Sequence, residues 1–313
     1  MNFDLTDEQK TIVEAAREIC EAEFAPKADE IDKTGIFPKE NLEILSKYDL
    51  CGIPIPEEYG GLGADFLTWA LVGEEIAKTC STTSAIFGAN MLCIYPIYMF
   101  GTEEQKQKFL VPLAKGEKLG AFALTEPSAG SDAASGIATA VKEGDEYVLN
   151  GSKMFITNAD AADIYVVTFK TQPARGARGM SAIIVEKGTP GFIFGKQEDK
   201  MCFHALPNCG LTFQDCRVPA SNLLSQENRG FRVAMETLDV GRIGMAVGAV
   251  GLAKSALKKS IKYAKERIQF GQPIASFQAI QHKLADMATE IEAAELLTLK
   301  AAWLRDQNKP FSD

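Results

Sequence analysis

Three stretches of the chain carry residue types whose spacing could support chemistry. In Leu124-Thr125-Glu126-Pro127-Ser128-Ala129-Gly130-Ser131-Asp132, hydroxyls and backbone N–H groups cluster where a strand is expected to end. Such an array can hold a polar ligand at a sheet edge. The same residue types also cap ordinary strand-ending loops, and composition leaves both readings open. Gly151-Ser152-Lys153-Met154-Phe155-Ile156-Thr157-Asn158 reads equally as a second ligand wall or a plain hairpin arm. The third stretch places Gly241, Gly244, Gly248 and Gly251 along one helical pattern. Each glycine costs about 1 kcal/mol in a helix interior relative to alanine, so something must come close to this backbone. A neighbouring helix is the default, and a ligand chain is the alternative.

Metal and nucleophile chemistry find less support. Cys202, His204, Cys209 and Cys216 lie close in sequence, but without the two-residue cysteine spacing of structural zinc sites. Buried small hydrophobes are their expected role. His282 has no second ligand beside it. With two histidines in the chain and no paired Ser or Cys nucleophile motif, triad hydrolysis is disfavoured. No Gly-x-Gly-x-x-Gly follows a strand and there is no P-loop, so motifs alone demand no nucleotide.

The elements that position these residues belong to a chain of 313 residues with 33 basic and 42 acidic side chains, a net charge of −9. That balance argues against a nucleic-acid surface, which needs clustered Lys and Arg. At roughly 150 residues per domain the length suits about two domains. Seven cysteines without short scaffold spacing suggest a reducing compartment. The start, Met1-Asn2-Phe3-Asp4, does not read as a signal peptide, so a soluble cytoplasmic protein is expected. Residues 79–102 hold no charge and are long enough to span a membrane. They open with Thr79, Ser81, Thr82, Thr83 and Ser84 and contain Asn90 and Pro96, so they read as a helix buried within a domain, with no membrane span.

Periodicity divides the chain in three. Thr6 with Gln9 forms a capping box for a first helix carrying Ile12, Val13, Ala16, Ile19, Cys20 and Phe24 on one face. Pro38 suits the first turn of a second helix. Others follow at 66–78, within 79–102, and at 103–113 after Thr102 and Gln105, giving an all-α N-terminal domain, 1–117. Short runs at 119–124, 147–149, 153–157, 164–170, 181–186 and 209–213 then predict a small antiparallel β domain, 118–226. Asn150-Gly151 signals a tight hairpin turn between two of these runs. A helical period returns over 231–267 and 277–307, with Ile280, Leu284, Met287, Ile291, Ala294, Leu297, Ala301 and Leu304 along one side. This C-terminal domain, 227–313, shows two long helices, half of a four-helix bundle. The predicted class is α+β.

The segments 124–132 and 153–158, Leu238-Asp239-Val240-Gly241-Arg242, and Arg267-Ile268-Gln269-Phe270-Gly271 leading to Gln278, in this order, resemble the acyl-CoA dehydrogenase family. The likeness is strongest to its short-chain, butyryl-CoA dehydrogenase-like branch. It implies FAD between the β domain and the C-terminal helices, with Phe122, Leu124, Thr125 and Ser131 lining flavin and acyl-CoA. By the same resemblance Phe155, Ile156 and Thr157 pack on the isoalloxazine, with Thr157 near N5. Arg267, Phe270 and Gln278 fall in the motif that reaches the FAD of a neighbouring subunit, in what the family implies is a homotetramer. Ser131, Asp239, Val240, Gly241 and Arg242 match substrate-contacting positions, which gives Gly241 and Gly244 a ligand-side reason.

The implied reaction is α,β-dehydrogenation of a short-chain acyl-CoA thioester, with electrons passed to an electron-transfer flavoprotein. The resemblance places the catalytic glutamate beyond residue 313, or in a minority branch at the position of Gly241, so no catalytic residue is expected within the chain and its C-terminal domain is expected to be incomplete. Two alternatives stand beside this reading: an enoyl-CoA reductase of the same fold, and a non-catalytic flavin- or CoA-binding subunit.

Overall fold

A computed structural model describes residues 4–312; Met1–Phe3, part of the start that does not read as a signal peptide, and Asp313 lie outside the described residues. The capping box read from sequence is present: Gln9 N donates to Thr6 Oγ1 (3.1 Å) and Thr6 N to Gln9 Oε1 (2.9 Å), opening α1 (Asp7–Ile19). A π-helical turn, Cys20–Phe24, continues it. A short α2 (Ala28–Thr34), too brief to show a period, was missed in the sequence. In α3 (Lys39–Lys47), Pro38 stands just outside the helix instead of in its first turn. Next come α4 (Phe66–Thr79), α5 (Ser81–Phe100) and α6 (Glu103–Gln105), the last opened by a Thr102–Gln105 box and running through a π turn into α7 (Val111–Ala114).

The strands are β1 (Gly120–Ala123), β2 (Thr139–Glu143), β3 (Glu146–Thr157), β4 (Ile164–Lys170), β5 (Met180–Glu186), β6 (Phe192–Gln197), β7 (Asn208–Pro219) and β8 (Leu223–Leu224). They form one sheet in the order β6-β7-β3-β2-β4-β5-β8, with β1 on β4. Pairing is antiparallel except where β1, and one residue pair of β2, run parallel to β4. The Asn150-Gly151 turn is corrected: both residues lie inside the single strand β3, at a bulge where Gly151 has φ +133°. The same left-handed preference that suits a primed turn suits a bulge. Here β7 decides between them, because Asp215 N donates to Asn150 Oδ1 (2.9 Å) and Asn150 Nδ2 to Asp215 Oδ1 (3.1 Å). The real hairpin lies at Gly144-Asp145, between β2 and β3.

The C-terminal region holds α8 (Gly230–Glu266) and α9 (Gln278–Asp306), close to the expected bounds. The break between them is a small hairpin, β9 (Ile268–Gln269) with β10 (Gln272–Pro273), turned by Phe270 (φ 53°) and Gly271 (φ 77°). Both α5 and α8 are long and apolar enough to cross a membrane by length and composition. In α5, however, 67% of the apolar window is buried, and Asn90 Oδ1 accepts from Gly120 N (2.8 Å). It is a core helix.

The chain gathers into two compact units, one from 4–29, 65–85 and 242–312, the other from 30–64 and 86–241. In the first, buried charge ties four helices. Arg17 Nη2 and Lys78 Nζ each donate to Glu75 Oε1 at 3.0 Å, Lys78 also meets Glu74, and Lys254 links Glu74 to Glu295. Asp306 at the end of α9 accepts from Phe66 N (2.8 Å) and Leu67 N (2.9 Å), satisfying donors at the start of α4. Along the predicted stripe of α9, Ile280, Leu284, Ile291, Ala301 and Leu304 are half-buried, whereas Met287, Ala294 and Leu297 are exposed, Leu297 to 68%. A Cβ on Gly251 would lie 2.6 Å from Ala77 Cβ and Glu74 O, and one on Gly244 2.9 Å from Trp69 Cη2. At these two positions a neighbouring helix is what approaches. Within the second unit Leu92 Cδ2 would stand 2.6 Å from a Cβ on Gly241, whereas Gly248 has only Ser84 Oγ at 3.7 Å in the first.

Burial pushes the Glu75 carboxyl up, but its bonds to Arg17 and Lys78 outweigh that and hold it below its ordinary 4.5. Its stabilisation is therefore full above pH 4.5 and is lost as pH falls through the lower folded value. Glu75→Gln is expected to cost about 1.5–3 kcal/mol at pH 7. It should also flatten the acid-side loss of stability, which urea unfolding at neutral and acid pH measures; an unchanged acid limb would contradict the assignment.

Candidate functional site

The β-bearing unit is organised around a buried lysine. Lys153 is fully buried on β3, its ammonium 5.5 Å from the centre of the Phe169 ring. Nζ donates to Glu126 Oε1 at 2.8 Å, to Leu124 O at 3.2 Å and to Thr168 Oγ1 at 3.3 Å. Burial pushes the Lys153 amine down, and Glu126 pulls it back up. Glu126 also accepts from the backbone of Ile137 (2.6 Å) and Ala138 (3.1 Å), closing the loop that follows β1. Lys170 Nζ fastens the same loop by donating to Ala134 O and, across the neighbouring turn, to Gly176 O, both at 2.7 Å.

This arrangement brings two of the sequence segments together. Met154 N donates to Thr125 O (2.9 Å), so Leu124 and Thr125 lie alongside 153–157. Phe122, Leu124, Thr125 and Thr157 are half-buried, Ile156 is buried, and Ser131 is exposed on the loop. Phe155 is 60% exposed and held at φ 58°, at a second bulge in β3 between Lys153 and Ile156. Bulky residues rarely adopt that conformation. Beside it Asn208 Nδ2 donates to Phe155 O (3.2 Å) and Thr157 Oγ1 (3.5 Å), while the buried Asn208 Oδ1 has no partner among the described residues. An exposed ring, a hydroxyl and an orphaned acceptor suit a planar heteroaromatic ligand with an apolar face and N–H donors. A cavity of about 570 Å³ in the same unit, floored by Leu42, Ile86, Phe87 and Leu119, contains none of these residues.

The remaining sequence candidates lie elsewhere. Asp239, Val240, Gly241 and Arg242 follow one another on α8, with Val240 buried and Arg242 exposed. Of the acids near them, Glu236 is held by Arg232 Nε at 2.6 Å, an i,i+4 pair. Arg267, Phe270 and Gln278 are exposed around the β9–β10 hairpin of the helical unit, Phe270 to 92%. Cys209 and Cys216 are buried in β7, Cys202 is exposed, and His204 faces Asp32 at 3.6 Å. The sequence reading missed the Lys153–Glu126 pair and Asn208. Its one signal was a lysine among Phe155, Ile156 and other apolar strand residues.

Family models of the acyl-CoA dehydrogenase N-terminal, middle and C-terminal domains match residues 6–117, 121–216 and 228–313. The short-chain-specific acyl-CoA dehydrogenase of Megasphaera elsdenii is 48% identical over 317 residues, covering 100% of this chain and 83% of its own. An acryloyl-CoA reductase (NADH) of Anaerotignum propionicum is also 48% identical, over 100% of this chain and 80% of its own. Among solved structures, butyryl-CoA dehydrogenase from Megasphaera elsdenii superposes with a TM-score of 0.97 at 48% identity, covering 100% and 83% of the two chains. A chain from work on the electron transferring flavoprotein of Acidaminococcus fermentans gives 0.98 at 52% identity, covering 100% and 82%. PigA with FAD gives 0.94 at 32%, covering 99% and 82%. With all three domain models matched in order along nearly the whole sequence, the chain belongs to the acyl-CoA dehydrogenase family.

Proposed function

We propose that this protein is an FAD-dependent oxidoreductase that removes the α and β hydrogens of short-chain acyl-CoA thioesters, passing electrons to an electron-transfer flavoprotein. The observation that carries the reading is the rim formed by Leu124, Thr125, Phe155 and Thr157 on the Lys153–Glu126 pair, within a chain 48% identical to a short-chain-specific relative. FAD, when bound, supplies the acceptor for the hydride that leaves the β carbon. Phe122, Leu124, Phe155 and Ile156 provide its apolar wall, and Thr125, Ser131 and Thr157 its polar contacts. Because Glu126 and Lys153 neutralise each other, the pair adds no net charge beneath that wall. Ser131, Asp239, Val240, Gly241 and Arg242 are the proposed CoA-thioester contacts. Trp69 supplies a packing reason for Gly244, whereas the atom nearest Gly241 is the flexible end of Leu92, which leaves the ligand-side reason for Gly241 in the proposal. No residue of the chain is assigned as the base that takes the α proton.

Arg267, Phe270 and Gln278 are proposed to meet the FAD of a second copy in a homotetramer; their exposure leaves them available for it. The division 1–117, 118–226 and 227–313 is retained as the domain proposal, supported by the three matched stretches. Free cysteines throughout the described residues support a cytoplasmic location. A second reading, reduction of an enoyl-CoA, draws support from the reductase relative.

The test is the visible spectrum of purified protein titrated with FAD, then with butyryl-CoA or crotonyl-CoA. A bound flavin band perturbed by the four-carbon thioesters is expected, and a protein that retains no FAD would contradict the reading. Butyryl-CoA bleaching the band points to dehydrogenation; reoxidation of reduced flavin by crotonyl-CoA alone points to the reductase. Arg267→Ala should lose FAD and association together in gel filtration and absorbance. A merely structural exposed arginine would leave both intact, since surface ion pairs contribute about 0–1 kcal/mol. Full FAD occupancy in that variant would exclude the contact.

A further inference from the structure

Asn208 is the least explained polar group of the rim. Its backbone ends the β7 ladder opposite Thr157, and its own N–H is tied to Gln197 Oε1 at 2.8 Å, so the side chain is presented from a fixed point. The amide can face only one way. With Nδ2 against Phe155 O at 3.2 Å, the reverse orientation would set oxygen against oxygen. That leaves the buried Oδ1 without a donor among the described residues.

Two consequences follow for the neighbours. Phe155 sits in the left-handed region, a conformation that persists in an aromatic residue only when its surroundings over-determine it. Lys153 pins the strand from inside, Met154 N bonds to Thr125 O, and Asn208 grips the Phe155 carbonyl. Thr157 Oγ1 accepts from Asn208 Nδ2 at 3.5 Å. A hydroxyl that has accepted one bond keeps its single proton to donate elsewhere.

We propose that Asn208 is a positioning residue: it holds Phe155 outward and turns the Thr157 hydroxyl into a donor toward the ring bound on that rim, raising the ring's readiness to accept electrons. The inference rests on the FAD reading above. A donor aimed at a ring that gains electron density on reduction stabilises the reduced form.

The experiment compares the flavin reduction potential in FAD-loaded wild type, Asn208→Leu, Thr157→Val and the double variant, using photoreduction against a reference dye. Asn208→Leu keeps the approximate shape and removes both polar atoms; Asn208→Ala serves if the leucine variant fails to fold. The expected result is about a tenfold shift of the reduction equilibrium toward oxidised flavin, about 30 mV for a two-electron couple. The shift should vanish when Thr157 is already valine, because the effect runs through that hydroxyl. An unchanged potential in folded, FAD-loaded Asn208→Leu or Asn208→Ala overturns the proposal, as does an equal shift in the valine background. Wild type that takes up no FAD overturns the functional reading itself, and this proposal with it, and is recognised before any variant is made.

Discussion

A lysine ammonium with no exposed surface persists inside a sheet only where its charge and its three donors are met. Lys153 has Glu126, the Leu124 carbonyl and the Thr168 hydroxyl. Removing one partner of such a pair costs about 3–5 kcal/mol, whereas replacing both with apolar groups is often neutral. The pair therefore contributes placement more than stability. It fixes the end of β1 against the middle of β3, and through Glu126 it closes the 126–138 loop on the backbone of Ile137 and Ala138. Of the residues proposed to face flavin, Phe122 sits on β1, Leu124 and Thr125 just after it, Phe155, Ile156 and Thr157 on β3, and Ser131 on the loop that the pair closes.

The helical unit uses buried charge in a related way. Arg17, Glu75, Glu74, Lys78, Lys254 and Glu295 link α1, α4, α8 and α9, and Asp306 caps α4 from the far end of α9. Apolar contacts alone would let such helices slide in register. Directional bonds between named positions do not, and they let small residues such as Gly244 and Gly251 lie against Trp69 and Ala77.

Local signals in the sequence were the most legible. Capping boxes at Thr6 and Thr102 and the buried run of β4 were read where they occur, because each depends on neighbours within a few residues. Asn150-Gly151 misled because a primed turn and a bulge ask the same of the backbone, and the deciding partner, Asp215, lies 65 residues away. The stripe of α9 was legible at both ends, where Ile280, Leu284, Ala301 and Leu304 are half-buried, and less so at Met287, Ala294 and Leu297, which are exposed. At the site, the segments around Thr125 and Thr157 were found through resemblance. Their joining by Lys153 and Glu126, 27 residues apart, and the grip of Asn208 on Phe155 leave no periodic trace.

The claim that the Lys153–Glu126 pair places the flavin-facing strands is tested most directly by FAD affinity. The measurement is FAD binding by calorimetry to apo-protein, wild type beside Lys153→Met/Glu126→Met, which removes both charges while keeping the interior filled. The expected result is a variant that folds with a lowered thermal midpoint, because Ile137 and Ala138 lose their acceptor, and binds FAD about tenfold or more weakly, roughly 1.4 kcal/mol. A folded double variant that binds FAD as tightly as wild type would contradict it.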